Sequence, residues 1–155
     1  MYIMKAIGVK LVDLKPMTAK EAVNAGYRVS NNGEIVPPFT TGYEVTYPDG
    51  YKSWCPKQVA DASYFGIDNF DRITPADVAN FIIDEEYCTV GNKTTAATLH
   101  TITGFQAHGL ASCIKPENYD INIGKEIAKE KAIDSIWQGL GFVMHWAING
   151  LKRDK

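Results

Sequence analysis

Residues 115–137 read KPENYDINIGKEIAKEKAIDSIW, and how this stretch is read decides the fold. Pro116 suits the approach to a helix. The spacing predicts one running to about Trp137, bent at Gly139 and Gly141 and resumed through FVMHWAI. At about 100° per residue, Lys125 and Lys129 lie about 40° apart, on the arc that later carries Ala132, Ile136, Leu140 and Val143. Lys131, Asp134 and Gln138 occupy the opposite, solvent arc. A lysine turned toward apolar surroundings must snorkel, lose its proton or meet an anion, because burying an unpaired ammonium is costly. The start of the helix, from Asn118 to Gly124, adds unpaired backbone donors suited to phosphate or carboxylate. Two readings stay open: an anionic ligand, or lysines that snorkel or pair with an internal carboxylate.

Upstream, EEYCTV, TTAATLHTITG and FQAHGLASC are short β-branched or small-residue segments divided by Gly91-Asn92 and Gly104, which reads as an antiparallel meander of up to three strands. Before them, Thr74-Pro75 opens a helix with Thr as cap, Pro in the first position and Asp77 near the positive end of the dipole. Val78, Phe81 and Ile82 recur there at helical spacing. The boundary between lobes falls at GIDNFDR. An N-terminal β-hairpin/helix lobe spans 1–66, a helix, meander and long-helix lobe spans 72–155, and the two are expected to share one core.

In the first lobe, KAIGVKLVDL reads as a strand stopped by Pro16, and Thr18-Ala-Lys-Glu21 is a capping box with Gly26 as the helix stop. Pro48-Asp49-Gly50 between two Tyr-, Val- and Trp-bearing runs is a hairpin turn. Pro56 suits the first turn of a short helix, PKQVADASYF. The fold class expected is α+β: an antiparallel sheet of hairpins packed against a long C-terminal helix and shorter helices.

Lys+Arg 16 against Asp+Glu 18 gives a net charge of −2, so no bulk positive field holds a nucleic acid polymer by its backbone. Cys55, Cys88 and Cys113 are odd in number and lack C-x-x-C spacing, which argues for buried free thiols in a reducing cytosol. Lys5 and Lys10 break the N-terminal apolar run too often for a signal core or a membrane span, so a cytoplasmic protein is expected. No histidine has ligand-like spacing to Cys, Asp or Glu, and there is no G-x-S-x-G, P-loop or strand-borne G-x-G-x-x-G. No metal and no cofactor are expected. His145, among Val143, Met144 and Trp146, reads as core or interface packing. His100 and His108, on adjacent strands, could form an acid/base pair. Glu85-Glu86 reads as solvated charge at a helix end.

From Thr98 onward the chain resembles a family of small proteins of tailed phages and prophages. The resemblance rests on Gly104-Phe105 in a turn, Ser112-Cys113 at a strand end, Glu117-Asn118-Tyr119-Asp120, Ile123-Gly124-Lys125, and a helix closing on Ile136-Trp137. In the first lobe, Tyr47-Pro48-Asp49-Gly50-Tyr51 followed by Ser53-Trp54-Cys55-Pro56 resembles another phage segment. The family includes the Thoeris anti-defence sponges, oligomeric proteins that sequester cyclic ADP-ribose isomers made by TIR-domain immune enzymes; some also hold cyclic oligonucleotides. In them two basic residues one turn apart on the long helix contact ligand phosphates. Lys125 and Lys129 stand at those positions, where arginines are expected; the charge is kept and the bidentate fork lost.

The resemblance further implies stacking and amide contacts from the hairpin, for which Phe105 and Asn92 are the candidates, with Asn118, Thr94 and His108 behind them and Arg28 beside the Asn31-Asn32-Gly33 loop for a second pocket. It implies a non-catalytic phage sponge in the infected host's cytoplasm, whose partners are a cyclic nucleotide second messenger and further copies of itself. Trp137, Phe142, Met144 and Trp146 are assigned to association. The alternatives are a phage accessory module that binds another protein, and a hydrolase of the same signal using His100 and His108.

Overall fold

Thr18 and Thr74 each begin a helix in the manner their sequence contexts dictate. In the computed structural model, which describes residues 1–30 and 33–153, each threonine hydroxyl accepts the backbone N–H three residues on, and that residue's carboxylate accepts the threonine N–H. The helices are α1, Ala19–Asn24, and α3, Pro75–Phe81; between them in the chain lies α2, Lys57–Ser63. With three-stranded antiparallel sheets on either side of residue 66 and a long C-terminal helix, the fold is α+β. The chain divides into two compact units, 1–66 with 146–155, and 67–145.

In the first unit, β1 (Asp13–Pro16), β2 (Gly42–Thr46) and β3 (Lys52–Pro56) form an antiparallel sheet in that order. The Pro48-Asp49-Gly50 turn forms as expected: Gly50 takes φ 88°, and Asp49 Oδ1 accepts the Tyr51 N–H at 3.0 Å. Trp54 packs with Ala19 and Ala22 and donates its indole N–H to the Met17 carbonyl at 2.8 Å. The first strand is shorter than KAIGVKLVDL predicts. Its pairing begins at Asp13↔Thr46, because β2 turns away after Thr46 and residues upstream of Asp13 find no strand to pair with among the described residues. Tyr2, Ile3, Met4 and Ile7 are accordingly exposed.

The second unit carries the expected meander: β4 (Ile82–Val90), β5 (Thr94–Thr101) and β6 (Gln106–Ser112), antiparallel in the order β4-β5-β6. Ile82 begins the strand where helical spacing would have continued α3. β5 alternates with period two, Thr95, Ala97, Leu99 and Thr101 being buried, and β6 matches it with Ala107, Gly109 and Ala111. That buried face lies under α4, Ile121–Asn149, 29 residues without a break. The helix therefore runs through Gly139 and Gly141 without interruption and does not stop and resume there; the cost of two glycines is about 2 kcal/mol at most, which tertiary packing of so long a helix outweighs.

The buried residues of α4 recur at every fourth position: Gly124, Ala128, Ala132, Ile136, Leu140 and Met144. A row of fourth residues advances about 40° per step and winds obliquely around the helix, as packing on a twisted sheet requires. The arc inferred from the C-terminal half therefore does not hold at the N-terminal half. Val143 is exposed, and Lys125 and Lys129 follow the buried row by one residue, in line with the half-buried Ile133 and Trp137. They flank the interface and do not point into it.

Among the residues assigned to association, Trp137 packs on the core cluster of Val78, Leu99 and Ile136, Met144 is buried and Trp146 half-buried, which leaves Phe142 as the exposed one. The thiols also differ from expectation: Cys88 is exposed on β4, and Cys55 and Cys113 are half-buried. Among the described residues no helix is long and apolar enough to cross a membrane, and no group of three or more His, Cys, Asp or Glu could hold a metal ion.

Candidate functional site

The N-terminal half of α4 lies almost on the backbone of the sheet. A Cβ added to Gly109 would stand 2.0 Å from the Ala128 carbonyl oxygen, and one on Gly124 2.1 Å from Thr95 Oγ1. Only glycine fits at either place. Toward the other end Leu99, Ile136 and Leu140 hold helix and sheet apart with full-sized side chains. Small residues at Gly124, Ala128, Ala97 and Ala111 thus lower the helix beside β4, and side chains next to the buried row come down onto that strand.

There the two periodicities match. Residues two apart on a strand are about 6.6 Å apart and residues four apart on a helix about 6 Å. On β4, Glu85, Tyr87 and Thr89 share the face turned to α4, opposite Leu99, Ala97 and Thr95. Lys129 Nζ meets Glu85 Oε2 at 2.8 Å, Lys125 Nζ lies over the Tyr87 ring at 5.4 Å from its centroid, and Thr89 Oγ1 bonds the Tyr119 hydroxyl at 2.9 Å. Tyr119 also reaches the buried Thr95 hydroxyl at 2.8 Å, which ties the 3₁₀ turn Pro116–Asn118 to the sheet. Asp120 then caps α4, its carboxylate accepting the Asn122 N–H at 2.9 Å. The seam of Tyr119, Lys125 and Lys129 against Thr89, Tyr87 and Glu85 is the candidate site.

The Lys129 ammonium is held above the usual lysine range, first by its hydrogen bond to Glu85; partial burial acts the other way. Burial pushes the Tyr87 phenol up, and the neighbouring Glu85 adds to it. Lys129 is therefore charged near neutral pH, and it lies beside Lys125 at a half-exposed seam. The arrangement can hold an anion and offer it an aromatic surface.

The other candidates disperse. Asn118 lines a cleft of about 110 Å³ at the start of α4, with Lys93, Cys113, Asp120, Ile123 and Ile127. Asn92 sits in the β4–β5 turn at the same end of the sheet. Phe105 lies exposed in the β5–β6 turn at the opposite end, one strand length of roughly 23 Å away. Thr94 and His108 belong to the sheet face turned from α4, where Thr94 bonds Ser112 at 2.6 Å and His108 Nδ1 contacts Thr98 Oγ1 at 3.1 Å. His100 shares that face, 3.1 Å from Glu86. Arg28 belongs to the first unit, and Asn31 and Asn32 beside it lie outside the described residues. His145 is exposed and its Nδ1 contacts the Gly141 carbonyl of its own helix at 2.8 Å.

Glu85 and Glu86 are not at a helix end: they are mid-strand on opposite faces, one meeting Lys129 and the other His100. In the sequence Glu85 reads as solvated charge and neither Tyr87 nor Thr89 is singled out, although their alternation along EEYCT is the available signal.

With this geometry in place, the comparison with known families is specific to one half of the chain. Residues 73–148 match the phage protein (N4 Gp49/phage Sf6 gene 66) family. The phage-family segment takes in α3, the whole β4-β5-β6 sheet and nearly all of α4, so every residue of the seam lies inside it. No curated protein and no solved structure matches the chain.

Proposed function

We propose that this protein is a phage sponge: it binds a nucleotide immune signal of the cyclic ADP-ribose class, with cyclic oligonucleotides as a further class, and holds it uncleaved. The observation that carries the reading is the pair Lys125 and Lys129, two ammonium groups one helical turn apart beside Tyr87 at a seam of rigid elements. Two phosphates of one ligand can meet two such groups, and a ring beside them offers a stacking surface for a base. The resemblance of the helix start to the Thoeris anti-defence sponges supports the same residues.

Two further features bear on mechanism. His100 and His108 occupy the sheet face turned from α4, so a ligand held by the lysines is beyond their reach, which favours capture over hydrolysis. Both lysines are only half-buried at the seam, whereas small-molecule sites bury most of a ligand's surface. Enclosure of a cyclic dinucleotide-sized ligand then calls for a second copy, and the functional unit is a symmetric oligomer. Nanomolar capture corresponds to about −12 kcal/mol, more than two exposed lysines supply.

The test is a calorimetric titration of cyclic ADP-ribose isomers and cyclic di- and trinucleotides, followed by heat denaturation and mass spectrometry of the ligand. Tight binding with intact ligand recovered is expected; linearised product would identify a hydrolase. A second reading, an accessory module that binds another protein, draws on the exposed Ile114, Ile123 and Ile127 near the open edge of β6. Failure to bind any nucleotide of the panel favours it.

A further inference from the structure

The ion pair at the seam bears on how such a site would select its ligand. Glu85 is the carboxylate on the α4-facing side of β4 at this point, and its Oε2 stands 2.8 Å from Lys129 Nζ. The titratable groups that converge there are Glu85 and Tyr87 from β4 and Lys125 and Lys129 from α4; β5 contributes Ala97 and Leu99. Both partners of the pair are about two-fifths exposed, so the bond can open to solvent without burying an unpaired charge. Lys125, meanwhile, lies over the Tyr87 ring and forms no ion pair with a carboxylate among the described residues.

We propose that Glu85 is an internal competitor for the anion site: its carboxylate occupies the position on Lys129 that a ligand phosphate takes, and the ligand binds by displacing it. This rests on Lys125 and Lys129 being the phosphate contacts. The consequence is selection by charge. A ligand with one negative charge exchanges one ion pair for another and gains little. A diphosphate brings two neighbouring charges, engages Lys125 as well as Lys129, and offsets the loss of Glu85. The site is thereby biased toward pyrophosphate-bearing nucleotides over single phosphodiesters and carboxylates, in the way specificity arises from an unfavourable term set against the wrong partner.

The probe is inorganic pyrophosphate, titrated while backbone amide shifts are followed by NMR, against the wild type, Glu85→Gln, Glu86→Gln and the double variant Glu85→Gln with Lys129→Ala. Glu86 is the control: its removal changes the net charge equally, but it faces the other side of the sheet with His100. The expected result is that Glu85→Gln tightens pyrophosphate binding about threefold to fivefold, the worth of a partly exposed ion pair. Glu86→Gln should match the wild type, and the gain should vanish in the double variant. Equal affinities for wild type and Glu85→Gln overturn the proposal, as does equal tightening by both glutamine variants, which would be a long-range charge effect. If pyrophosphate binds none of the proteins, the competitor role also falls. The phosphate-site reading itself then stands or falls separately, on whether nucleotides of the panel bind through Lys125 and Lys129.

Discussion

Lys125 and Lys129 are each one residue past a small buried residue of α4, Gly124 and Ala128, and that offset sets their role. One position nearer the interface they would be buried ammonium groups; one position further they would be in open solvent. Replacing both with alanine should abolish nucleotide binding and leave the circular dichroism spectrum and Tm within a few degrees of wild type; retained affinity would place the site elsewhere. Their spacing is readable in the sequence, but their partners are not. Glu85 and Tyr87 lie about forty residues upstream, and only the register of β4 against β5 and the depth of α4 bring them together. The caps are more local and more legible. Thr74 bonds the Asp77 N–H, and Asp77, buried, accepts from both Thr74 and Asp68. Thr74→Ala should cost about 1 kcal/mol in denaturant unfolding.

At the scale of elements, turns and caps followed their residues closely, because Pro48-Asp49-Gly50 and Thr18-Ala-Lys-Glu21 satisfy their own backbones within four residues. The first strand and the long helix did not, because each depends on distant chain. Residues 5–12 have strand composition but find no pairing partner among the described residues, whereas Gly139 and Gly141 have breaker composition in a helix of 29 residues. Gly109 tests the helix–sheet approach: Gly109→Ala places a methyl against the Ala128 carbonyl, which as backbone cannot swing aside. The variant should lose about 1–3 kcal/mol in thermal or denaturant unfolding. Unchanged stability would mean that α4 does not sit so low.

In the first unit, burial and a hydrogen bond with Tyr47 push Tyr64 up to about 12. A phenol whose pKa is raised by folding contributes stability that is complete below its unfolded value, about 10, and is lost as pH rises toward 12. Wild type should therefore lose stability between pH 10 and 12 more steeply than Tyr64→Phe; parallel profiles would remove Tyr64 from that account.

For the whole molecule, the phage-family segment and the seam coincide: the matched residues 73–148 build α3, one sheet and the helix that presents the lysines. On the proposed sponge reading, capture calls for more affinity than two half-exposed lysines supply, so association and ligand capture are expected together. Light scattering behind size exclusion should give at least twice the mass of the 17.1 kDa chain, and a mass of one chain would contradict association. The most direct test of the central claim is one calorimetric titration of the wild-type protein with the cyclic ADP-ribose isomers, the ligand recovered afterwards and weighed by mass spectrometry. The account predicts nanomolar binding, intact ligand, and no heat with the Lys125→Ala, Lys129→Ala double variant. Binding that survives that double variant, or ligand recovered in linear form, would contradict it.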